Sequence, residues 1–457
     1  MTTLPAAVGR PRPTPAELLI AAVVLAALFA GFRRLSTPTD FLQFWFVAEV
    51  DPRADDGRGD GPALSPYPPD HRDAYDGAAA RRFDRPASGP KHATARRLTR
   101  ELFPLLGDGR LVQSTGTPLL YATADLVSGP SFERSYAAAY AVQSAAFIGC
   151  LLLMAVRLRL SAGVVVCWGF GVGALFEMFA GDIRYGNVAG VQLALLLASL
   201  EASARRRLLT AGGLAAFAAL LKPSAAYGVL SLTAFLAGRI TAREWARFAA
   251  GGLVGGAVAT VLTVQTFGSL AVWSDWVTHV LPGLGSVCYP RSDGNIGLVA
   301  ILHHATGTNL SRPIGAVLLP AALAACYALG LRRRGTEDDS PGFDGLLAAH
   351  TLGTCVMLLS SPLVWTHYFV LLLPSLITLM HRSGRRGRAV AAVSLCCFTD
   401  VLVFGPLRAG AISHEAASLI FLVPPIAVFA DTTARLLHDC GLSMRRLTAR
   451  RSMQATG

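Results

Sequence analysis

The sequence predicts an all-α polytopic membrane protein of about twelve transmembrane helices. Three observations predict it: composition, the spacing of the apolar runs, and the distribution of arginine and lysine. Of 457 residues, 53% are hydrophobic and only 15% charged, with a mean hydropathy of +0.46. A soluble chain of this length carries roughly a quarter charged residues and divides into about two or three domains. Apolar runs fall at 17–32, 136–156, 161–180, 187–203, 208–221, 224–238, 248–268, 314–331, 345–360, 365–380, 389–404 and 416–434. Some are shorter than the ~20 residues of a straight crossing. The pair flanking Lys222, over 208–238, therefore reads either as two full spans or as a re-entrant hairpin.

Orientation follows from the retention of basic residues in short cytoplasmic loops. Alternate loops hold Arg157 and Arg159; Arg205, Arg206 and Arg207; Arg239, Arg243 and Arg247; Arg332, Arg333 and Arg334; and Arg382, Arg385, Arg386 and Arg388, fifteen in all. The other short loops hold five: Arg184, Lys222, Arg291, Arg312 and Arg408. Both termini are therefore expected in the cytoplasm, with the chain in the plasma (inner) membrane. The expected organisation is a cytoplasmic tail at 1–16, one transmembrane domain at 17–434 with outer loops 36–134 and 269–311, and a basic cytoplasmic tail at 435–457. The net charge of +12 is mostly this bias plus Arg445, Arg446, Arg450 and Arg451 in the tail. It points to anionic lipid headgroups and not to nucleic acid.

The eight cysteines form no disulfide framework, since six of them (Cys150, Cys167, Cys326, Cys355, Cys396, Cys397) fall in apolar runs where a thiol behaves as a small hydrophobe. The first run leads on without a small-residue cleavage site, so it is expected to persist as a span rather than be removed as a signal.

Along the chain, the first span is followed by STPTDFLQFWFVAEV, Ser36 to Val50. It sets one acid, Asp40, at a membrane face, before an aromatic segment (Phe41, Phe44, Trp45, Phe46) suited to the headgroup region. Residues 51–91 are rich in Asp, Arg, Gly and Pro and read as irregular. Ala93 to Leu106 reads as a surface helix, and Thr115 to Val127 as a helix lying on the membrane, entered at Pro118.

Further polar clusters lie at the same face. Glu177 and then GDIRYGN place Asp182, Arg184 and Asn187 beside Tyr185; such groups cost about 3 kcal/mol each in hydrocarbon, so they face protein or a wet cavity. A solvated turn with an Asp182–Arg184 pair, or a Glu177–Arg184 pair, is the plainer reading. Lys222 in ALLKPSAAYG reads as a cation aimed at a phosphate, aided by helix N-terminal amides after Pro223, or as a lysine that snorkels to headgroups. The second outer loop carries Trp273, Trp276, His279 and Tyr289 to His304, with Arg291, Asp293 and Asn295 as sugar or phosphate contacts. Asn295 to His304 has the period of a short helix, and the adjacent histidines do not share a helix face as a zinc pair would. In SSPLVWTHYF, Pro362 breaks the chain, and Trp365 and His367 open the next span; an imidazole there can donate to a phosphate or orient a hydroxyl.

Taken in order, Asp40 after the first span, GDIRYGNVAGVQLALLL, LLKPSAAYG, SDGNIGLVAIL and SPLVWTHYFVLLLP resemble glycosyltransferase family 87, over Asp40 to Pro374. The resemblance implies a GT-C-type fold, and a membrane-embedded inverting transferase that uses a polyprenyl-phosphate-linked sugar. By it, Asp40 matches the catalytic acid of the first outer loop. Asn187, Lys222, Asn295 and His367 match the polar positions of the later motifs. The chain departs from the family at Tyr185-Gly186, often Gly-Gln, at His367-Tyr368, often two histidines, and in its long 51–91 insert.

The mechanism implied is general-base attack: Asp40 takes the proton of an acceptor hydroxyl as it displaces polyprenyl phosphate. Donor contacts fall to Lys222, His367, Arg184, Asn187, Asn295 and Arg291, with Glu177, Asp182, Tyr185, Asp293 and Trp365 behind them. No metal or cofactor is expected. Mannose on a polyprenyl phosphate is the expected donor, and a cell-envelope lipid or glycan at the outer face the expected acceptor. An arabinofuranosyltransferase remains an alternative, as does a transporter or flippase using Glu177 and Lys222 as a path, although the internal repeats of a transporter are not visible.

Overall fold

The computed structural model describes residues 12–33, 41, 44–45, 116–129, 131–282, 295–334 and 342–455. Asp40, Arg291, Asp293, the 51–91 insert and the surface helix expected at 93–106 lie outside the described residues. Within them every element is helical: α1 Pro15–Phe32, α2 Pro118–Asp125, α3 Phe132–Leu158, α4 Ala162–Phe170, α5 Glu177–Tyr185, α6 Ala189–Ala204, α7 Leu208–Leu221, α8 Ala226–Arg239, α9 Ala242–Phe267, α10 Leu298–Thr306, α11 Ser311–Arg333, α12 Phe343–Ser360, α13 Leu373–Arg382, α14 Arg385–Cys397 and α15 His414–Ala455.

Local sequence explains where several of these begin. Thr14 and Glu17 close a capping box at α1 with Pro15 in its first turn, and Thr241 and Glu244 close another at α9, each satisfying amides that a helix start leaves unpaired. Thr117 caps α2 ahead of Pro118, and Ser131 caps α3.

Among the described residues six helices are long and apolar enough to cross a membrane: α1, α3, α9, α11, α12 and the 415–435 part of α15; counting the bent pair α5–α6 as one span gives seven. The protein is thus a multi-span membrane protein. The number is below the twelve expected because segments such as Ala162–Leu175 and Leu208–Leu221 are shorter apolar helices, and α5 and α6 meet at 109°.

Consecutive helices run back and forth between two ends. Ser199 of α6 donates to the Ala211 carbonyl of α7 at 2.8 Å, while Gln192 reaches the Ala218 carbonyl at 3.3 Å, which makes the pair antiparallel. Glycines bring α7 and α9 together: a Cβ at Gly251 would lie 1.9 Å from the Leu209 carbonyl oxygen, and one at Gly255 2.4 Å from that of Gly213. Four of the arginines expected on one face gather at one end. Arg157 and Arg205 pair with Glu201, Arg206 with Glu244 at 3.0 Å and Arg382 with Asp344 at 2.6 Å. Arg382 also donates to the Arg157 carbonyl. The middle of the bundle is α12, with 89% of its length buried; it packs on α6, α8, α11 and α15.

Three expectations are corrected. Phe41, Phe44 and Trp45 do not lie among headgroups but are buried in protein. Trp45 stacks edge-on to Phe132 and its indole donates to the Gly129 carbonyl at 3.2 Å. Likewise α2 buries Leu119, Leu120 and Tyr121 and packs on α7 and α9 rather than lying on the membrane. The helix of the second outer loop starts at Leu298, three residues after Asn295, because the Asn295 side chain is engaged with the turn before it. Apart from these, the final helix runs as far as Ala455.

Gly251→Ala forces α7 and α9 apart and should destabilise the protein by about 1–3 kcal/mol. Gly256→Ala, with nothing within 4 Å of the added methyl, should gain up to about 1 kcal/mol of helix propensity. Thermal unfolding in detergent reads both, and the opposite signs are the test.

Candidate functional site

The site is built from three breaks in the helices. The first is the turn between α5 and α6. Gly186 holds φ at +70°, and a Cβ there would lie 2.7 Å from the Cβ of Phe41, so both the left-handed backbone and the close approach of Phe41 require glycine. The Asn187 amide donates to the Asp182 carbonyl at 3.1 Å. Asp182, fully buried, uses its carboxylate to accept from the Gly190 amide at 3.0 Å and from the Gln143 side chain. Gln143 in turn accepts from the Val191 amide at 3.1 Å. A buried Asp–Gln pair therefore caps α6 and sets the turn that carries Asn187.

The second break follows α7. Lys222 is extended, as the residue before a proline must be, and the carbonyls freed by the break are taken up by side chains. Gln192 donates to the Lys222 carbonyl at 2.6 Å, and its own oxygen accepts from Ser224 at 3.1 Å. Thr117 donates to the Leu221 carbonyl at 2.9 Å. Of the amides after Pro223, those of Ala225 and Ala226 donate to the Lys222 and Pro223 carbonyls.

The third break follows α12. Asn295, fully buried, donates to the Pro362 carbonyl at 2.8 Å and accepts from the Val364 amide at 3.0 Å and the Gly297 amide at 3.2 Å. It is a staple that holds the second outer loop to the Ser-Pro segment. From Trp365 the chain enters a 3₁₀ helix, Thr366–Leu372, that presents His367.

These breaks meet. Lys222 Nζ lies 2.8 Å from Asn187 Oδ1 and 3.0 Å from His367 Nε2, and Asn187 Nδ2 lies 3.0 Å from the same nitrogen. The hydrogen-bond directions can be assigned. Asn187 Oδ1 faces two groups that only donate, the ammonium and the Val188 amide at 2.7 Å, so Nδ2 is the atom turned to His367. His367 Nε2 thus faces two donors and must offer its lone pair. The imidazole is neutral with its proton on Nδ1, which leaves Nδ1 as its donor. Tyr368 lies under the ammonium, with Nζ 4.6 Å from the ring centroid. The cluster combines a cation with N–H donors on neutral side chains, the chemistry of a site for an anionic oxygen.

Other residues expected at the site make contacts of their own. Arg184 pairs with Glu177, one of the two plainer readings, and its Nε donates to the Ala180 carbonyl at 3.3 Å. Tyr185 ends α5, its ring beside Gly181. Sequence reasoning missed Gln143, Gln192, Ser224 and Tyr368. The two glutamines carried a usable signal: an amide within an otherwise apolar run must find partners inside the bundle.

The model of glycosyltransferase family 87 matches residues 118–362, more than half of the chain and all of the α6 and Lys222 breaks. The chain belongs to glycosyltransferase family 87. It is accordingly a membrane-embedded glycosyltransferase that acts on a sugar donor and an acceptor. The matched segment includes Asn187, Lys222 and Asn295; Asp40 and His367 lie beyond its two ends. No curated protein and no solved structure matches the chain.

Gln143→Leu should remove a donor from the buried Asp182 carboxylate and an acceptor from α6, at about 2 kcal/mol or more. Gln143→Glu should do worse, because it sets a second acid against the first. Both are read by thermal unfolding of the detergent-solubilised protein.

Proposed function

We propose that this glycosyltransferase moves mannose from a polyprenyl-phosphate donor to a cell-envelope lipid or glycan at the outer face of the plasma membrane, with inversion at the anomeric carbon. The observation that carries this reading is the convergence of Asn187, Lys222 and His367 within 3.0 Å of one another. A lysine inside a helical membrane bundle is held there against a cost of about 3 kcal/mol on insertion scales. An ammonium at that depth, with amide and imidazole beside it, suits a phosphate that arrives on a lipid.

In this scheme the Asp40 carboxylate takes the proton of the acceptor hydroxyl as that oxygen bonds to the anomeric carbon. The bond from that carbon to the phosphate oxygen breaks, and polyprenyl phosphate leaves with the electron pair. Lys222 and the Nδ1–H of His367 meet the charge growing on the phosphate, and Asn187 orients both. Phe41, the neighbour of Asp40 in sequence, packs on Gly186 beside Asn187, which supports placing the acid at this cluster. The scheme needs no metal or nucleotide. The alternation of helices between the arginine-rich end and the site end supports about twelve crossings, short helices included, with both termini cytoplasmic.

The test is transfer from radiolabelled polyprenyl-phosphate-mannose in membranes carrying wild type, Asp40→Asn or Lys222→Met at matched expression. Wild type should label a product. Asp40→Asn should lose about 10³-fold or more, as expected when a general base is removed, and Lys222→Met about 10²-fold, the size of one lost charge-stabilising donor. Equal labelling by Asp40→Asn would remove it as the base. An arabinofuranosyl donor used in place of the mannosyl one would reassign the sugar and leave the site unchanged.

A further inference from the structure

We propose that Tyr368 is a positioning residue: its ring face seats the Lys222 ammonium and holds it where the donor phosphate binds. The inference rests on the lipid-phosphate reading of the site and adds a residue to it.

Two consecutive side chains of one short 3₁₀ helix reach the same cation. His367 Nε2 is 3.0 Å from Lys222 Nζ, and the Tyr368 ring centroid is 4.6 Å from it. The two rings stand edge to face, their centroids 4.8 Å apart and their planes at 81°. The ammonium therefore rests in the notch between them, with a lone pair on one side and a π face on the other. A centroid distance under about 6 Å with the cation over the ring is the geometry of a cation–π contact. Lysine ends in four flexible methylenes and a compact ammonium, and the hydrogen bonds it donates to Asn187 and His367 still allow the stem some freedom. The ring face closes that freedom. Asn187, His367 and Tyr368 are each neutral, so none of the three cancels the charge it holds. Such a seat serves a residue meant to meet an incoming anion. The 3₁₀ winding is what brings this about: it advances about 120° per residue, and Asn295 anchors the segment entering it through Pro362 and Val364.

The seat predicts that the ring matters through its electrostatics. Tyr368→Leu should raise the KM for polyprenyl-phosphate-mannose about tenfold, and Tyr368→Phe, which keeps the ring, should restore KM to near the wild-type value. In a Lys222→Met background, Tyr368→Leu should add nothing. Fluorinated phenylalanines installed at position 368 keep the shape while draining the ring face, and log KM should rise stepwise with fluorine number. A flat response to fluorination, or an equal loss on Tyr368→Leu with and without Lys222, overturns the proposal. A thermal-unfolding cycle on the same Lys222 and Tyr368 variants needs no substrate, and additivity there overturns the seat as well. Absence of transfer by wild type counts against the donor reading alone, and the unfolding cycle still decides the seat.

Discussion

The cation of Lys222 is the constraint on which the surrounding structure depends. An ammonium inside a helical bundle must be hydrogen-bonded, and its backbone neighbourhood is doubly demanding because Pro223 breaks the helix and frees carbonyls that need new partners. The chain answers both demands with side chains from distant segments. Gln192 and Thr117 take the freed carbonyls of Lys222 and Leu221. Asn187, His367 and Tyr368 surround the ammonium. Thr117 ahead of α2, Asn187 and Gln192 at the start of α6, and His367 of the 3₁₀ helix are brought to one point from three segments, so the break after α7 determines how α2, α6 and the segment after α12 must sit.

Breaks of this kind recur in pairs. The α4–α5 stretch is interrupted at Phe176, which is extended and bridges Thr399, where the α14 stretch is also interrupted; the Glu177 amide donates to the Phe398 carbonyl at 2.8 Å. One opening thus satisfies the other, as irregular backbone at membrane depth requires. Phe398 then packs between Phe179 of α5 and Phe369 of the 3₁₀ helix. The helix that leads to Asn187 and the segment that carries His367 are therefore joined away from the site as well as at it, through edge-to-face aromatic contacts.

Much of this was legible in the sequence, and for a physical reason. Charged and polar residues in an apolar chain are few and expensive, so Asp182, Asn187, Lys222 and His367 announce themselves by position alone. What they do was less legible. Asp182 reads as a ligand but serves as the cap of α6, because its partners, the Gln143 side chain and the Gly190 amide of the next helix, are set by packing and not by spacing. Asn295 reads as a sugar contact and is found tying two loops through three backbone groups. Phe41 and Trp45 read as interfacial because aromatic runs commonly are, whereas their burial depends on α3, ninety residues on. The helix count is the hardest to read, since a 14-residue helix such as α7 is short for a bilayer by its own length. Its close backbone contact with the 26-residue α9 can carry it through.

The assigned tautomer of His367 bears on which part of the chemistry this site is built for. With Nε2 occupied by the ammonium and the Asn187 amide, the imidazole has no lone pair left with which to take a proton from an acceptor hydroxyl. It is a donor only, through Nδ1. Lys222 and Asn187 Nδ2 are donors too. A cluster composed of donors can stabilise negative charge and cannot generate a nucleophile, so on the proposed mechanism the base must come from outside it. That division matches the two halves of a displacement at carbon. One side of the sugar needs a carboxylate for the acceptor, and the other needs a cation for the phosphate. Family membership calls for both a donor and an acceptor, and on the proposed mechanism the described cluster serves the leaving-group side. The turn at Gly186, where Phe41 packs, brings one residue of the segment after α1 beside Asn187.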